Sequence, residues 1–266
     1  MNVVVCFKSV YDDVAIRTNS DKTLDYQAVP HIVSLYDLNA IEAAAQFVEG
    51  SNGEHSLIAL TVGDTKIHDT TMRKNVAARG ASEVYLVMDD ALEDAETHQT
   101  AQAVAAAIKH IGNIDLIICG DGSADIYAHQ MGIQLGEILG IPNVNAVIDF
   151  TAEGDTIKVT RELDEEIEHI EMQTPAVLSV LSDMAQPRTC KVADIMSAGR
   201  KPVHELTLED IGLELPPANY AVVETKVPEP TPRKMVFFEA TDEGIDEFIE
   251  QVHTCLLYTS PSPRDS

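Results

Sequence analysis

The chain has 266 residues, 45% of them hydrophobic, enough to bury one large core or two small ones. Forty-four acidic residues against 18 basic ones leave a formal charge of −26 and a pI near 4.5, which argues against nucleic-acid backbones and anionic membrane surfaces as partners. Aromatics are 5% with no tryptophan, no apolar run reaches the roughly 18–20 residues of a membrane span, and four scattered cysteines without a C-x-x-C pair argue against a disulfide framework or a zinc site.

Residues 1–8 read as the first strand of a fold and not as a signal peptide, so the expected compartment is the cytoplasm. Continuous apolar runs at residues 3–7, 56–62, 83–87 and 115–119 predict buried strands. Helical periodicity fills the gaps between and after them, at 37–48, 65–78, 98–111 and 124–139. In the first helix Leu38, Ile41, Ala45 and Val48 share a face, and Gly50 ends it. Alternation of this kind predicts an α/β fold with a doubly wound, mainly parallel sheet. Residues 156–161, 167–171 and 176–180 then predict antiparallel strands extending that sheet, with Gly154-Asp155 as a hairpin turn.

The texture changes near Leu206. Pro216, Pro217, Pro228, Pro230 and Pro232 lie among few large apolar residues, as in an extended arm. A short helix at 242–252 follows, with Ile245, Phe248, Ile249 and Val252 on one face. Residues 255–266, Cys255 to Ser266, match the in-frame translation of a common sequencing-library adapter and are set aside; an ordinary Ser/Pro tail is the other reading.

The strongest local signal is Leu116-Ile-Ile-Cys-Gly120-Asp121-Gly122-Ser123-Ala124-Asp125, a strand, a glycine-rich turn and an expected helix start. Backbone N–H groups at such a turn suit a phosphate. Asp125 stands where a dinucleotide fingerprint needs its third glycine, and no P-loop pattern is present. The same residues also suit a tight turn capped by Ser123. Lys8, after the first strand, reads either as a counter-charge to a ligand or as a solvated strand end. Asp164-Glu165-Glu166 fits a solvated hairpin turn, and Cys6 and Cys119 fit small core residues. With no G-x-S-x-G elbow and no H-E-x-x-H pair, no self-contained catalytic constellation is expected.

Several separated segments together resemble the β subunit of electron-transfer flavoprotein. They are Val3-Val-Val-Cys-Phe-Lys8-Ser-Val10, Ser34-Leu-Tyr-Asp37-Leu-Asn39-Ala40, Arg79-Gly80-Ala81, and Val159-Thr-Arg161-Glu-Leu-Asp164 with the following Pro175-Ala-Val177-Leu178-Ser179. The likeness runs from Met1 to about His253 and is greatest to the Fix-type branch, linked to anaerobic carnitine reduction or to reductant supply for nitrogen fixation. The chain departs from most members at Glu165, Ser179, Tyr127 and Ala128.

The resemblance implies an electron carrier and not a free-standing enzyme. It implies an adenine-nucleotide-binding domain at 1–205 and an arm at 206–254 that wraps a partner. Cys6, Ser34, Asp37, Val62, Gly120, Asp121, Gly122, Ser123, Asp125, His129, Gln130 and Met131 would line a site for AMP or a second FAD, with Lys8 beside them. The principal FAD would be shared with an α subunit of the Fix type and held mainly by it. Val192, Ile195 and Met196 would dock a dehydrogenase, an acyl-CoA reductase or a quinone oxidoreductase, Val192 as the anchor; a buried strand end would explain Val192 equally. A stand-alone adenine-nucleotide-binding regulator and a small-molecule enzyme acting alone are the competing readings.

Overall fold

The structure, a computed structural model, describes residues 1–229, 231 and 235–259. The chain opens with β1 (Asn2–Cys6) and four short strands, β2 (Ser9–Tyr11), β3 (Arg17–Thr18), β4 (Leu24–Asp25) and β5 (His31–Val33). It then alternates through α1 (Leu35–Gly50), β6 (Ser56–Gly63), α2 (Thr70–Ala78), β7 (Glu83–Met88), α3 (Thr97–Ile111), β8 (Leu116–Gly120) and α4 (Met131–Leu139). After these come β9 (Asn143–Glu153), β10 (Thr156–Glu162), β11 (Ile167–Gln173), β12 (Ala176–Val180), α5 (Val192–Ala198) and β13 (Val203–Leu206).

Nine strands form one sheet in the order β11-β10-β9-β12-β8-β1-β6-β7-β13. Pairing is parallel from β9 to β13, and antiparallel only where β10 meets β9 and β11. The expected α/β class with a mainly parallel, doubly wound sheet is therefore what the chain forms. One expectation is corrected: residues 176–180 are not an antiparallel extension but the parallel strand β12, inserted between β9 and β8. All five of its residues are buried, so no polar side marks its direction.

Side-chain alternation sends successive residues to opposite faces of the sheet. Val3, Val5 and Phe7 of the first segment join Ile41, Val76 and Leu116 on the α1/α2 face. Val4, Cys6, Ile117 and Cys119 join Val104, Ile108 and Leu135 on the α3/α4 face. Each large side chain fully buried in this way contributes about 1.5–3 kcal/mol. α4 lies close against the sheet through its glycines: a Cβ on Gly132 would coincide with the Ser179 hydroxyl, and one on Gly136 with the Asn143 amide.

Two helix starts also differ from expectation. α2 begins at Thr70 because Asp69 caps it, its carboxylate accepting from the Met72 amide at 2.6 Å. α4 begins at Met131, so Ser123 caps nothing and residues 121–130 are loop. Tyr127 and His129, at φ +53° and +55°, interrupt any helix there.

The chain divides into two compact units, Met1–Lys226 and Val227–Ser266. The first therefore continues past the expected boundary at 205. Leu206, Ile211, Leu213 and Leu215 pack on the α3/α4 face, where Leu208 is buried. Gln99 donates to the Pro216 carbonyl at 2.7 Å, and the buried Glu96 carboxylate accepts from the Asn219 and Tyr220 amides. In the second unit α6 (Asp242–Thr259) leaves Ile245, Phe248, Ile249 and Val252 exposed, and Phe238 meets Phe248 edge-on at 5.5 Å. The adapter-like segment is helical up to Thr259, and residues 260–266 lie outside the described residues.

Candidate functional site

From β1 the chain moves outward through β6 and β7, then returns to place β8 on the other side of β1. The order reverses between β1 and β8. In open parallel sheets a crevice forms at the carboxyl ends of the strands flanking such a switch point, because the loops there diverge to opposite faces. The segments after β1 and β8 carry Lys8 and Gly120–Ser123, two of the stretches singled out in the sequence.

Asp37, in the first turn of α1, ties the two strand ends together. Its buried carboxylate accepts the Lys8 amide at 2.7 Å and the Gly120 amide. Burial pushes its pKa up to about 7, although both amides favour the charged form. Gly120 has no room for a side chain: a Cβ would lie 2.6 Å from Asp37 Oδ1 and 3.1 Å from the Tyr36 carbonyl carbon. Ser34 is fully buried beneath the loop; its amide donates to the Lys8 carbonyl and its hydroxyl accepts from the Ala124 amide at 3.2 Å.

Asp121 organises the other wall. Its amide donates to the Val180 carbonyl at 3.0 Å, while its carboxylate takes the His129 Nδ1–H at 2.6 Å and the Ala146 amide at 3.3 Å. Ala146 has φ +54°, at the irregularity where β9 shifts register against both neighbours. Three left-handed non-glycine residues, Tyr127, His129 and Ala146, thus surround one loop at a cost of order 1–3 kcal/mol each. Lys8 Nζ pairs with Asp125 at 2.5 Å, so its charge is shared with a carboxylate and is not a free counter-charge. The amides of Gly122 and Ser123 meet no acceptor among the described residues, which is what a phosphate at this turn requires.

The remaining expected residues sit less centrally. Cys6 and Cys119 are buried side by side on the α3/α4 face, and their mutual hydrogen bond together with burial raises the Cys119 thiol well above its ordinary pKa; these are core thiols. Val62 is the penultimate residue of β6, on the far side of β1 from Gly120. Gln130 is exposed and accepts from Gln134, and Met131 packs against the α3/α4 face. Val192, Ile195 and Met196 lie far along the chain on α5, and all three are exposed. Val192, at 75% exposure, is not a buried strand end.

Sequence reasoning missed the aromatic part of the loop. Tyr127 packs at a tilt 4.8 Å from Tyr36 and meets His129 edge-on at 4.0 Å. A Cβ on Gly122 would clash with the Cδ2–Cε2 edge of the Tyr127 ring. Gly122 is thus glycine to seat that ring, and its φ is not in the left-handed region, so no backbone strain is relieved there. The departure at Tyr127 was the one signal available. A surface groove of about 520 Å³ between α3 and residues 210–213 belongs to the opposite end of the sheet, where α3 runs into β8.

The β1/β8 switch point of this doubly wound sheet thus holds two buried carboxylates, Asp37 and Asp121, beside two amides without a protein acceptor among the described residues, at the end of the sheet where such folds bind ligands. The family model of the electron transfer flavoprotein domain matches residues 21–211. The chain belongs to the electron transfer flavoprotein family, whose members are flavin-binding electron carriers and not conventional enzymes. Among the described residues no helix is long and apolar enough to cross a membrane, and no His/Cys/Asp/Glu cluster could hold a metal ion.

Proposed function

We propose that this chain is the β-type subunit of a heterodimeric electron-transfer flavoprotein of the Fix type, acting in the cytoplasm between a donor and a partner oxidoreductase. The crevice between β1 and β8 carries this reading. AMP or a second FAD sits there, its phosphate on the Gly122 and Ser123 amides. With Asp37, Asp121 and Asp125 so near, backbone donors must supply most of the phosphate affinity. The flavin, shared with an α subunit, supplies the redox chemistry. This chain's residues position and insulate; nothing in the crevice needs to move a proton.

The α subunit is held by the C-terminal unit. Its helix α6 exposes an apolar face that needs a cover. Co-expression with an α-like flavoprotein subunit is expected to give a yellow equimolar complex with at least one FAD per heterodimer. Removing residues 227–266, a cut that leaves the Glu96- and Gln99-anchored segment intact, should leave a folded domain that no longer copurifies with the α subunit. A colourless chain that stays monomeric beside the α subunit would contradict the proposal, and copurification of the truncated chain would remove the arm from it.

Docking of the redox partner falls to α5. Val192 and Met196 present an apolar patch on a helix whose other side is anchored by the buried Ala198. Val192→Asp is expected to slow electron transfer to the partner at least tenfold, because a carboxylate cannot enter an apolar pocket unpaired. Flavin content and melting temperature should be unchanged. Stopped-flow reduction of the partner, with an absorption spectrum of the variant, decides it; lost flavin would assign Val192 a structural role.

A further inference from the structure

We propose that the Tyr127 ring is a gate over the glycine turn, displaced when an adenine nucleotide binds. The inference rests on the nucleotide reading of the β1/β8 crevice and adds the residue that controls access to it.

A Cβ on Gly122 would overlap the Cδ2–Cε2 edge of the ring, so the ring packs against the turn's backbone on the side left free by the missing side chain. A phosphate approaching the Gly122 and Ser123 amides from that side meets the phenol ring first. Tyr36 flanks the ring at 4.8 Å and His129 touches it edge-on at 4.0 Å. These are weak, separable aromatic contacts. Tyr127 remains 45% exposed, so solvent is available for the ring to swing into. The hinge is already strained, since Tyr127 and His129 both hold left-handed backbone that a bulky residue adopts only under constraint.

The frame around the gate is rigid by comparison. Asp121 fixes His129 from one side and is itself tied to β12 and β9, while Tyr36 belongs to the start of α1. The mobile part is therefore one side chain on one loop. A ligand that needs the open state binds with an apparent dissociation constant divided by the open fraction, so an open fraction of about one-tenth weakens binding about tenfold.

The test uses the full chain, with AMP as the probe and 3-fluorotyrosine at position 127 as the reporter. AMP is expected to move the ¹⁹F resonance of Tyr127 with the same saturation that calorimetry gives. Tyr127→Ala should bind AMP about tenfold more tightly, with a faster association rate, and Gly122→Ala should show the displaced resonance before AMP is added. Unchanged or weaker affinity in Tyr127→Ala, or a resonance that stays in place while AMP saturates, overturns the gate and leaves the nucleotide reading standing. Failure of AMP, ADP and FAD to bind any of these proteins overturns the nucleotide reading, and the gate with it.

Discussion

Arg188→Ala is expected to destabilise the fold by about 3–5 kcal/mol, the cost of leaving a buried charge without its partner. Glu42 lies on α1 with only 3% of its surface exposed. Arg188 satisfies it three times, through its amide at 3.1 Å, Nε at 2.7 Å and Nη2 at 3.0 Å, and Gln46 adds a fourth bond at 2.8 Å. Burial alone would raise the Glu42 pKa, but the hydrogen bonds from Arg188 and Gln46 outweigh it and hold the carboxyl below its ordinary value. The second ion pair of Arg188, to the exposed Glu49, contributes little.

Because the folded pKa of Glu42 is depressed, its stabilisation is present above the ordinary carboxylate range and is lost as pH falls through the folded value. Urea unfolding at pH 7 should show the full loss in Arg188→Ala, and the variant should lose less further stability than the parent on going from pH 5 to pH 3. Arg188→Lys should recover only part, since one ammonium cannot reproduce the guanidinium fork. A loss below 1 kcal/mol at pH 7 would mean that Glu42 finds water or another donor. The pair also holds the chain shortly before α5, the helix to which partner docking is assigned in the proposed function.

Why this anchor escaped sequence reasoning shows where legibility ends. Glu42 lies within the expected first helix and Arg188 in a loop after the last predicted strand, and no local pattern joins residues so far apart. The parallel strands were readable because β-branched runs such as Val3–Val5 and Leu116–Ile118 are buried on both faces. That same uniformity hid the direction of β12. A helix start is expected at Ala124 because glycine and serine before an apolar periodicity ordinarily mark an N-terminus. Left-handed Tyr127 and His129 overrode that rule, and left-handed backbone at a non-glycine residue leaves no trace in composition. Leu206, Leu208, Ile211, Leu213 and Leu215 give no element signal because acidic residues separate them and two prolines follow, yet together they cover the α3/α4 face.

The glycine turn after a strand was legible in the residues themselves, as was Lys8 after the first strand, while Asp37 was supplied by the family likeness. What the likeness could not supply is the state of Asp37, and this gives the second large expectation. Its carboxyl is fully enclosed and titrates near 7, against about 3.9 in an unfolded chain. The folded chain therefore keeps a proton that the unfolded chain releases. Stability from this group is complete below about pH 4 and is lost as pH rises to about 7. A shift of roughly three units corresponds to about 4 kcal/mol. The sign is opposite to that of Glu42, so the two groups together favour a stability maximum in mildly acidic solution.

Asp37→Asn removes the titration while keeping the shape. The amide oxygen retains one of the two bonds to the Lys8 and Gly120 amides, and losing the other costs about 1 kcal/mol. Near pH 4, where Asp37 is neutral, the variant should be slightly less stable than the parent. Above pH 8 it should be more stable by a few kcal/mol, because the parent then holds a carboxylate in a site that burial disfavours. Urea midpoints across pH 4–9 read this crossing directly. Parallel curves for the two proteins would show that Asp37 is ionised throughout, and that the amides of Lys8 and Gly120 outweigh burial at the switch point. A crossing at about pH 4.5–5, with the gap widening to about pH 7, would mark the carboxyl as a proton-sensitive clamp between the strand ends that frame the glycine turn.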